Sequence, residues 1–354
     1  MDIYILDNSG NVIDMIDNYR SLIWNIQFFD TGEFELVLPA SKENIEKARK
    51  GAFLCRSCDC SEHTFNNVMI VEKIEISTDY ENGNTINVSG KGLKHLFARR
   101  VIWEQMTIEN STVESAILQV VLKNAIKPSD ENRKFPNLTI SEMKNFSETA
   151  EIQVFSEKLD EWLTEICTTY GYGWDIFIKD GKFVFDLRKG TERTYEQEEN
   201  IPVVFSPEYD NLLNSTYQKN DENYANTALV GGEGEGIDQR TTSIGNSSGF
   251  NRYETYIDAS SVSSNGEIIT LETYYQLLQD YGKQELAKIA AVETMEGTIS
   301  DSGNYEYGKD YFLGDIVQIE NEYGMTATSR VTEIIFSSDE NGTTITPTFG
   351  TWEV

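Results

Sequence analysis

Residues 70–79 read IVEKIEISTD and lead, after Tyr80, into ENGNTINV at residues 81–88. Residues 330–339 read RVTEIIFSSD and lead directly into ENGTTITP at residues 340–347. Each stretch predicts a β-strand, an acidic Asn-Gly turn and a returning strand, because Asn-Gly accepts the positive φ angles of a tight hairpin turn. Two such hairpins with similar flanks, far apart in one chain, indicate two similar β-domains. Such a duplication is more typical of a structural protein than of an enzyme.

The similarity extends upstream of both hairpins. Residues 51–54, Gly-Ala-Phe-Leu, precede the first hairpin much as residues 312–315, Phe-Leu-Gly-Asp, precede the second. A chain with two similar modules can build a ring of twice its own symmetry. The sequence therefore predicts a duplicated unit that includes a strand ahead of each hairpin.

The length and composition indicate a folded, β-rich chain. The 354 residues suggest two or three domains and are sufficient to bury a core. No run of about eighteen apolar residues is present, so we expect no stable insertion into a membrane. The first residues, MDIYILD, lack the basic region and apolar core of a signal peptide and predict a strand. We therefore expect synthesis in the cytoplasm and no export by that route.

The net charge of −30 limits the partners of the chain. Neutralisation of nucleic-acid phosphates requires basic surfaces, so specific DNA binding is excluded as a function. Two interpretations of the acidic charge stay open. It provides solubility, or it lines a surface past which DNA moves without adhering.

The order of predicted elements divides the chain into three segments. Residues 1–102 predict mostly strands, residues 103–200 predict an α/β insert, and residues 201–354 return to strands with a helix near 270–292. Periodic apolar residues and capping residues predict four helices, Ser41–Lys50, Ser111–Lys127, Ser156–Tyr170 and Thr270–Val292. The fold class is accordingly α+β and mostly β.

No catalytic or cofactor-binding residue stands out. The chain has only two histidines, His63 and His95, and a Ser-His-Asp or Cys-His arrangement would need one of them. His95 lies in a basic segment after a strand, which favours a surface or packing role. We therefore predict no catalytic site and no cofactor.

One segment contains residues that bind metals in other proteins. Cys55, Cys58, Cys60 and His63 lie within nine residues, whereas structural zinc usually takes two separated ligand pairs. A zinc site made by one loop would be cramped. The alternative is a β-loop that carries reduced thiols. We predict no metal and retain these four residues as weak candidates.

Five segments, residues 24–39, 71–100, 202–211, 313–317 and 345–350, follow in an order and spacing that resembles a known family. The family is the siphophage tail proteins of the Pepy-phage type. These are similar to the tail-tip hub, which forms the N-terminal part of tail-associated lysins and corresponds to the myophage baseplate hub. The resemblance covers essentially the whole chain, and no single motif in it is specific.

The resemblance implies two similar β-barrel-like domains, residues 1–102 and 201–354, that bracket the insert. It also implies a homotrimer with pseudo-sixfold symmetry on one face. That face would dock to the hexameric distal tail protein, and the threefold face would close or gate the DNA channel. The tape-measure protein and receptor-binding or fibre proteins are further expected partners. The implied location is the virion tail tip of a phage or prophage.

Two other classes of protein are alternatives to this interpretation: a tail-associated cell-wall-degrading enzyme or its structural remnant, and a bacterial surface adhesin. A tail-associated enzyme that degrades cell-wall polymer is disfavoured because no catalytic histidine is evident. The chain also ends at Val354, just after the second β unit, which leaves no room for a C-terminal peptidase, muramidase or fibre. A bacterial surface adhesin is disfavoured because the sequence begins without a signal peptide.

Overall fold

The computed structural model describes residues 1–80, 83–266, 268–289, 292–299 and 304–351. Within them, the chain forms the following strands: β1 Ile3–Leu6, β2 Val12–Ile16, β3 Ser21–Gln27, β4 Glu33–Pro39, β5 Phe53–Arg56, β6 Thr64–Phe65, β7 Met69–Ser77, β8 Thr85–Gly92, β9 Met106–Ile108, β10 Leu138–Ile140, β11 Ile152–Val154, β12 Gly173–Lys179, β13 Lys182–Arg188, β14 Glu192–Arg193, β15 Val204–Phe205, β16 Leu212–Asn220, β17 Thr227–Gly231, β18 Thr241–Ile244, β19 Glu254–Asp258, β20 Val292–Ile299, β21 Ile316–Glu320, β22 Thr326–Asp339 and β23 Gly342–Thr351. The α-helices are α1 Lys42–Lys47, α2 Val113–Val121, α3 Leu159–Thr169 and α4 Leu271–Ala287. Single 3-10 turns lie at Ser57–Asp59, Glu131–Arg133, Pro207–Tyr209, Gly236–Asp238 and Gly249–Asn251, a longer 3-10 helix spans Leu93–Arg99, and a π-helical turn at Leu122–Ile126 continues α2.

A single sheet of 12 strands dominates the fold. Its order is β14-β21-β22-β3-β4-β8-β7-β5-β1-β2, with β15 paired to β21 and β23 paired to β22. Smaller sheets have the orders β10-β13-β12-β6 and β18-β17-β19, and two further pairs are β11-β9 and β16-β20. The predicted class, α+β and mostly β, is confirmed. In the part of the chain that the structure describes, the strands form no closed barrel.

Three apolar clusters support these sheets. The first lies between the large sheet and helices α2 and α3, and it joins Phe53 and Phe97 to the helix residues Leu163 and Ile166. The second lies on the opposite face of the large sheet. The third is smaller and packs Leu278 of α4 on the three-stranded sheet β18-β17-β19. Strand β5 is therefore buried on both faces: Phe53 and Cys55 belong to the first cluster, and Leu54 belongs to the second.

The predicted helices all form, with shifted ends. Ser41 caps α1 as expected and accepts a hydrogen bond from the Asn44 backbone N–H at 3.0 Å. Helix α2 is capped by Thr112 rather than Ser111, because the Thr112 hydroxyl accepts from the Ser115 N–H at 3.2 Å. The sequence of residues 111–114 matches a capping box, in which the Glu114 side chain would bond to the backbone N–H of the cap residue, but Glu114 does not make this bond.

The buried Glu114 carboxylate instead accepts hydrogen bonds from the backbone N–H groups of Lys144 and Phe146, at 2.5 and 2.9 Å. It thereby holds the following loop against α2. Helix α3 begins three residues later than predicted, since Ser156 has a φ of 63° and Ile102 donates to the Glu157 carbonyl. A left-handed residue cannot continue a right-handed helix.

Helix α4 ends at Ala287, and Val292 belongs to strand β20. The helix was predicted to extend to Val292; its residues 290–291 lie outside the described residues, as do Glu81 and Asn82 in the first predicted turn. Gly83 of that turn has the positive φ, 77°, that the Asn-Gly pattern predicted. Across the described ranges, the structure contains no helix with the length and apolar character needed to cross a membrane.

Candidate functional site: the duplicated hairpins and their junction

The two hairpins predicted from the sequence form, and they share a backbone irregularity. In the first, β7 pairs with β8, and the register shifts between Val71 and Lys73. In the second, β22 pairs with β23, and the register shifts between Val331 and Glu333. Glu72 and Thr332 are thus bulged residues at equivalent positions. A bulge bends and twists its strand, so its repetition preserves the shape of the hairpin.

The strand ahead of each hairpin is attached by the same two hydrogen bonds. Gly51 N–H donates to the Val71 carbonyl at 2.7 Å, and Val71 N–H donates to the Ala52 carbonyl at 2.9 Å. Gly314 N–H donates to the Val331 carbonyl at 2.7 Å, and Val331 N–H donates to the Asp315 carbonyl at 2.8 Å. We call residues 51–92 the first repeat and residues 314–351 the second repeat.

The equivalence includes an unusual backbone conformation. Gly51 has a φ of 82° and Gly314 has a φ of 98°, a region that residues with a side chain rarely adopt. Each glycine turns the chain into the strand that follows it, β5 in the first repeat and β21 in the second. The duplication therefore holds at the level of single hydrogen bonds and dihedral angles.

The repeats are joined edge to edge rather than through a linker. Strand β3 pairs with β22, with Phe336 opposite Trp24, and it also pairs with β4, with Trp24 opposite Phe34. Strand β4 then pairs with β8 of the first repeat. The second apolar cluster contains Val71 and Val331 together. Both repeats consequently share one sheet and one core.

Phe28 lies where the second repeat meets strand β12. Its ring lies against Gly173 of β12 and Gly314 of the second repeat; a Cβ atom at either glycine would lie within 2.2 Å of the ring carbon Cε2. The Arg330 guanidinium lies 5.3 Å from the ring centroid and donates to the Gly314 carbonyl at 2.8 Å. Burial lowers the pKa of Arg330 to about 10. Two glycines thus create the space that one aromatic ring fills.

The bulged residues differ in chemistry. The Glu72 carboxylate lies 3.4 Å from His95 Nε2 and 3.6 Å from an Arg99 guanidinium nitrogen, and His95 is half-buried. The Thr332 hydroxyl donates to the Thr348 carbonyl at 3.3 Å, and the backbone carbonyl of Thr332 accepts from the Phe28 N–H at 2.9 Å. The first bulge therefore carries a charged cluster, and the second makes contacts inside the sheet.

The structure brings two of the four weak metal candidates into contact and places the other two apart from them. Cys55 is buried in β5, and its Sγ lies 3.0 Å from Sγ of the partly exposed Cys60. Cys58 is exposed and contacts the Met1 sulfur at 3.5 Å. The exposed His63 side chain lies 3.9 Å from Glu62. Among the described residues, no group of three or more His, Cys, Asp or Glu side chains is placed to hold a metal ion.

In the described part of the chain, four buried cations were not predicted from the sequence: Arg56, Lys94, Arg133 and Arg330. Arg56 is 1% exposed, its guanidinium lies 3.5 Å from the Phe336 ring centroid, and its Nε donates to Asp59 at 2.6 Å. It connects the first repeat to the second. Basic residues inside strand-forming segments are the only sequence signal for such a role, and that signal is weak.

Lys94 is the second buried cation. Its Nζ donates to the backbone carbonyls of Gln27, Phe28 and Asp30 at 2.8, 3.1 and 3.0 Å. Burial lowers its pKa to about 8. Lys94 thereby holds the loop that carries Phe28 in the junction.

Several solved structures share this fold along nearly the whole chain. The 43 kDa tail protein of prophage MuSo2 from Shewanella oneidensis is 14% identical, with a TM-score of 0.60 and coverage of 99% of this chain and 98% of that one. The tail protein from Neisseria meningitidis MC58 is 12% identical, with a TM-score of 0.59 and coverage of 99% and 96%. The prophage tail protein gp18 from Listeria monocytogenes EGD-e is 11% identical, with a TM-score of 0.55 and coverage of 98% and 94%. The fold is thus one found in phage tail proteins.

The model of the family described as Siphovirus ReqiPepy6 Gp37-like protein matches residues 2–351. The chain therefore belongs to this family, and the resemblance predicted from the sequence is confirmed. A search of curated proteins gives no match. The protein is a phage or prophage tail protein by family and by fold.

Proposed function

We propose that the chain is a non-enzymatic hub subunit at the tail tip. Three copies would close into a ring, and two repeats per copy would present six similar units to a sixfold tail. The single observation that carries this proposal is the duplication of a strand and bulged hairpin with matching hydrogen bonds, at Gly51 and Val71 and again at Gly314 and Val331. Closed rings need interfaces that repeat around an axis, and an internal repeat supplies them.

The proposed partners are the distal tail protein on the pseudo-sixfold face and the tape-measure protein in the lumen, with receptor-binding or fibre proteins outside. The repeats share one sheet, so a docking protein would meet two similar surfaces held at a fixed angle. The threefold side would close or gate the DNA channel. The net charge of −30 supports a passage that DNA does not adhere to.

Light scattering coupled to gel filtration tests the ring. The full chain is measured alone and after mixing with the distal tail protein that its own gene cluster encodes. We expect a trimer in at least the mixture, since ring closure can depend on the partner. A monomer under both conditions would overturn the proposal.

The subunit contact can be tested at one end of the large sheet. Strand β2 is the end strand, and Val12, Ile13 and Met15 on it are 48, 63 and 44% exposed. A neighbouring copy is the proposed occupant, because a ring of repeats must bring the free end of one sheet to the next chain. The pairing of β1 with β2 skips Ile13, so contact through side chains is favoured over strand addition.

Ile13→Lys is therefore expected to shift the trimer toward monomer. Ile237→Lys is the matched control, because Ile237 is an exposed isoleucine in the turn between β17 and β18, away from the large sheet. Loss of the trimer in both variants, or in neither, would refute the contact at β2. The trimer itself is judged from the wild-type measurement.

Two further assays address the remaining functions. A mobility-shift experiment with double-stranded DNA at low salt should show no retained complex, and binding that weakens with salt would contradict the proposed role of the acidic charge. Incubation with purified peptidoglycan should release no soluble fragments. Sustained release would favour a tail-associated cell-wall-degrading enzyme instead.

A further inference from the structure

Two cysteine sulfurs are in contact near the segment that joins the large sheet to the four-stranded sheet β10-β13-β12-β6. Sγ of Cys55 and Sγ of Cys60 lie 3.0 Å apart. Cys60 also contacts the Arg56 carbonyl at 3.0 Å, and Cys55 contacts the Asn66 carbonyl at 3.4 Å. The two thiols thus contact backbone carbonyls at the two ends of one compact loop, residues 57–66, which we call the cysteine loop.

The cysteine loop connects the large sheet to the insert. It leaves β5 at Arg56 and carries β6, whose Phe65 pairs with Ile178 of β12. His63 accepts a further backbone hydrogen bond from the Asp180 N–H at 2.9 Å. The strand β6 that joins the two sheets is only two residues long. Its position therefore depends on the conformation of the loop.

A metal-binding role for the pair lacks ligands. Cys58 faces Met1, and His63 lies beside Glu62, so the remaining candidates do not converge on the two sulfurs. Structural zinc takes four ligands. Two thiols in contact, by contrast, are sufficient to form a disulfide bond.

We propose that Cys55 and Cys60 form a reversible disulfide when the folded chain meets a disulfide oxidant, and that this bond fastens the cysteine loop to the large sheet. The chemical class of the oxidant is a small-molecule disulfide such as oxidised glutathione. Cytosolic thiols stay reduced and extracellular thiols oxidise. A tail component of a released particle would therefore meet the oxidant after assembly. This proposal does not depend on the oligomeric state proposed above.

The reaction begins at Cys60, because Cys60 is partly exposed and Cys55 is buried. A hydrogen bond from the Cys55 thiol lowers the pKa of Cys60, and the same bond raises the pKa of Cys55. The Cys60 thiolate attacks oxidised glutathione, forms a mixed disulfide and expels one glutathione thiolate. The Cys55 thiol gives its proton to solvent, and its sulfur attacks Cys60 Sγ and expels the second glutathione. Two protein thiols are oxidised, and one glutathione disulfide is reduced to two thiols.

Peptide mapping tests the bond directly. The folded full chain is incubated with oxidised glutathione, free thiols are alkylated, and the protein is digested with trypsin without reduction. Cleavage after Arg56 places Cys55 and Cys60 on different peptides, so a bond between them yields one linked pair. Cys58 lies on the same peptide as Cys60, and Cys58→Ser distinguishes them. We expect the linked pair in the wild type and in Cys58→Ser, and its loss in Cys60→Ser.

Two outcomes would overturn the proposed pairing. One is a Cys58→Ser protein whose peptides stay unlinked, and the other is a linked pair that persists in Cys60→Ser. Equal gel-filtration and circular dichroism profiles for the variants establish that each remains folded. Cys167 is buried in α3 and serves as an internal control that stays reduced until the chain unfolds.

Hydrogen exchange tests the fastening of the loop. In Cys58→Ser, oxidation should slow exchange of residues 57–66 by on the order of tenfold, because a short closed loop restricts the opened state. Reduction with dithiothreitol should restore the faster rate. A linked protein with unchanged exchange would refute the structural consequence while leaving the bond itself established.

Discussion

The equivalent glycines of the two repeats allow a backbone effect to be separated from a packing effect. Gly51 and Gly314 have the same hydrogen-bond role and similar positive φ angles, 82° and 98°. A Cβ at Gly51 would meet nothing within 4 Å, whereas a Cβ at Gly314 would overlap the Phe28 ring. Gly173 provides the third combination, since its Cβ would overlap the same ring, and its φ is not in the left-handed region.

Three alanine variants follow from this comparison. Gly51→Ala should cost about 1 kcal/mol, since a left-handed alanine loses ~1–2 kcal/mol and the stiffer unfolded chain returns part of it. Gly173→Ala should cost about 1–3 kcal/mol, the usual penalty of forcing an atom into a filled core. Gly314→Ala combines both effects, and we expect about 2–4 kcal/mol. We therefore expect Gly51→Ala to be the most stable of the three variants, Gly173→Ala to be intermediate, and Gly314→Ala to be the least stable.

Urea unfolding followed by the fluorescence of the buried Trp24 and Trp174 measures these differences. With a slope of about 3 kcal/mol per molar urea, Gly314→Ala should unfold at a midpoint about 0.3–1 M below that of Gly51→Ala. Phe28→Leu removes the overlapping ring atoms. Phe28→Leu should therefore lower the free energy of unfolding less in the Gly314→Ala background than in the wild type, with a difference of about 1 kcal/mol or more. If Gly314→Ala and Gly173→Ala are no less stable than Gly51→Ala, the Phe28 ring does not pack tightly against Gly173 and Gly314, and the reasoning is wrong.

Three other predictions concern ionisable side chains. Asp59→Asn should lower the melting temperature more than Arg56→Met, because it leaves a buried guanidinium without its counter-charge while methionine preserves the packing; equal losses would contradict this. Burial lowers the pKa of Lys94 to about 8 from an ordinary 10.5, so the unfolded chain binds more protons between these values. The free energy of unfolding, measured relative to Lys94→Met, should therefore rise from pH 8 to 10, and a flat difference would show a solvated amine. Partial desolvation of the Glu157 carboxyl, then the nearby Glu165 carboxylate, raises the pKa of Glu157 to about 7 from 4.5. Its contribution to stability is therefore complete below pH 4.5 and is lost as pH rises through 7. Glu157→Gln should remove that decline in thermal melts at pH 4.5 and 7.5, and an unchanged decline would assign it to other carboxylates.

Local features of the fold could be predicted from the sequence. The two hairpins were predicted correctly, because the turn residues and the alternating strand residues lie within about ten residues of each other. The four helices were predicted because their apolar periodicity is local as well. Their ends were less predictable: Thr112 replaced Ser111 as a cap, and the backbone at Ser156 delayed α3. Each of these depends on contacts with distant segments.

The long-range pairings could not be predicted. The pairing of β3 with β22 joins Trp24 to Phe336, and no local pattern states which strand lies beside which. The same holds for the contact between Cys55 and Cys60. Their spacing permitted a zinc loop or reduced thiols, and only the course of residues 57–66 separates Cys58 and His63 from the pair.

The two repeats share a backbone but differ in their environments, and the difference bears on how a duplicated unit can serve a ring. Gly51 is exposed and lies at an open surface, whereas Gly314 is buried against Phe28. The bulge of the first repeat carries the charged Glu72, and that of the second carries Thr332 inside the sheet. In the proposed ring of three copies, equal backbones would offer six similar docking units, while unequal surroundings would make alternate units distinguishable. A subunit with these properties can contact a sixfold partner on one face and retain threefold symmetry on the other.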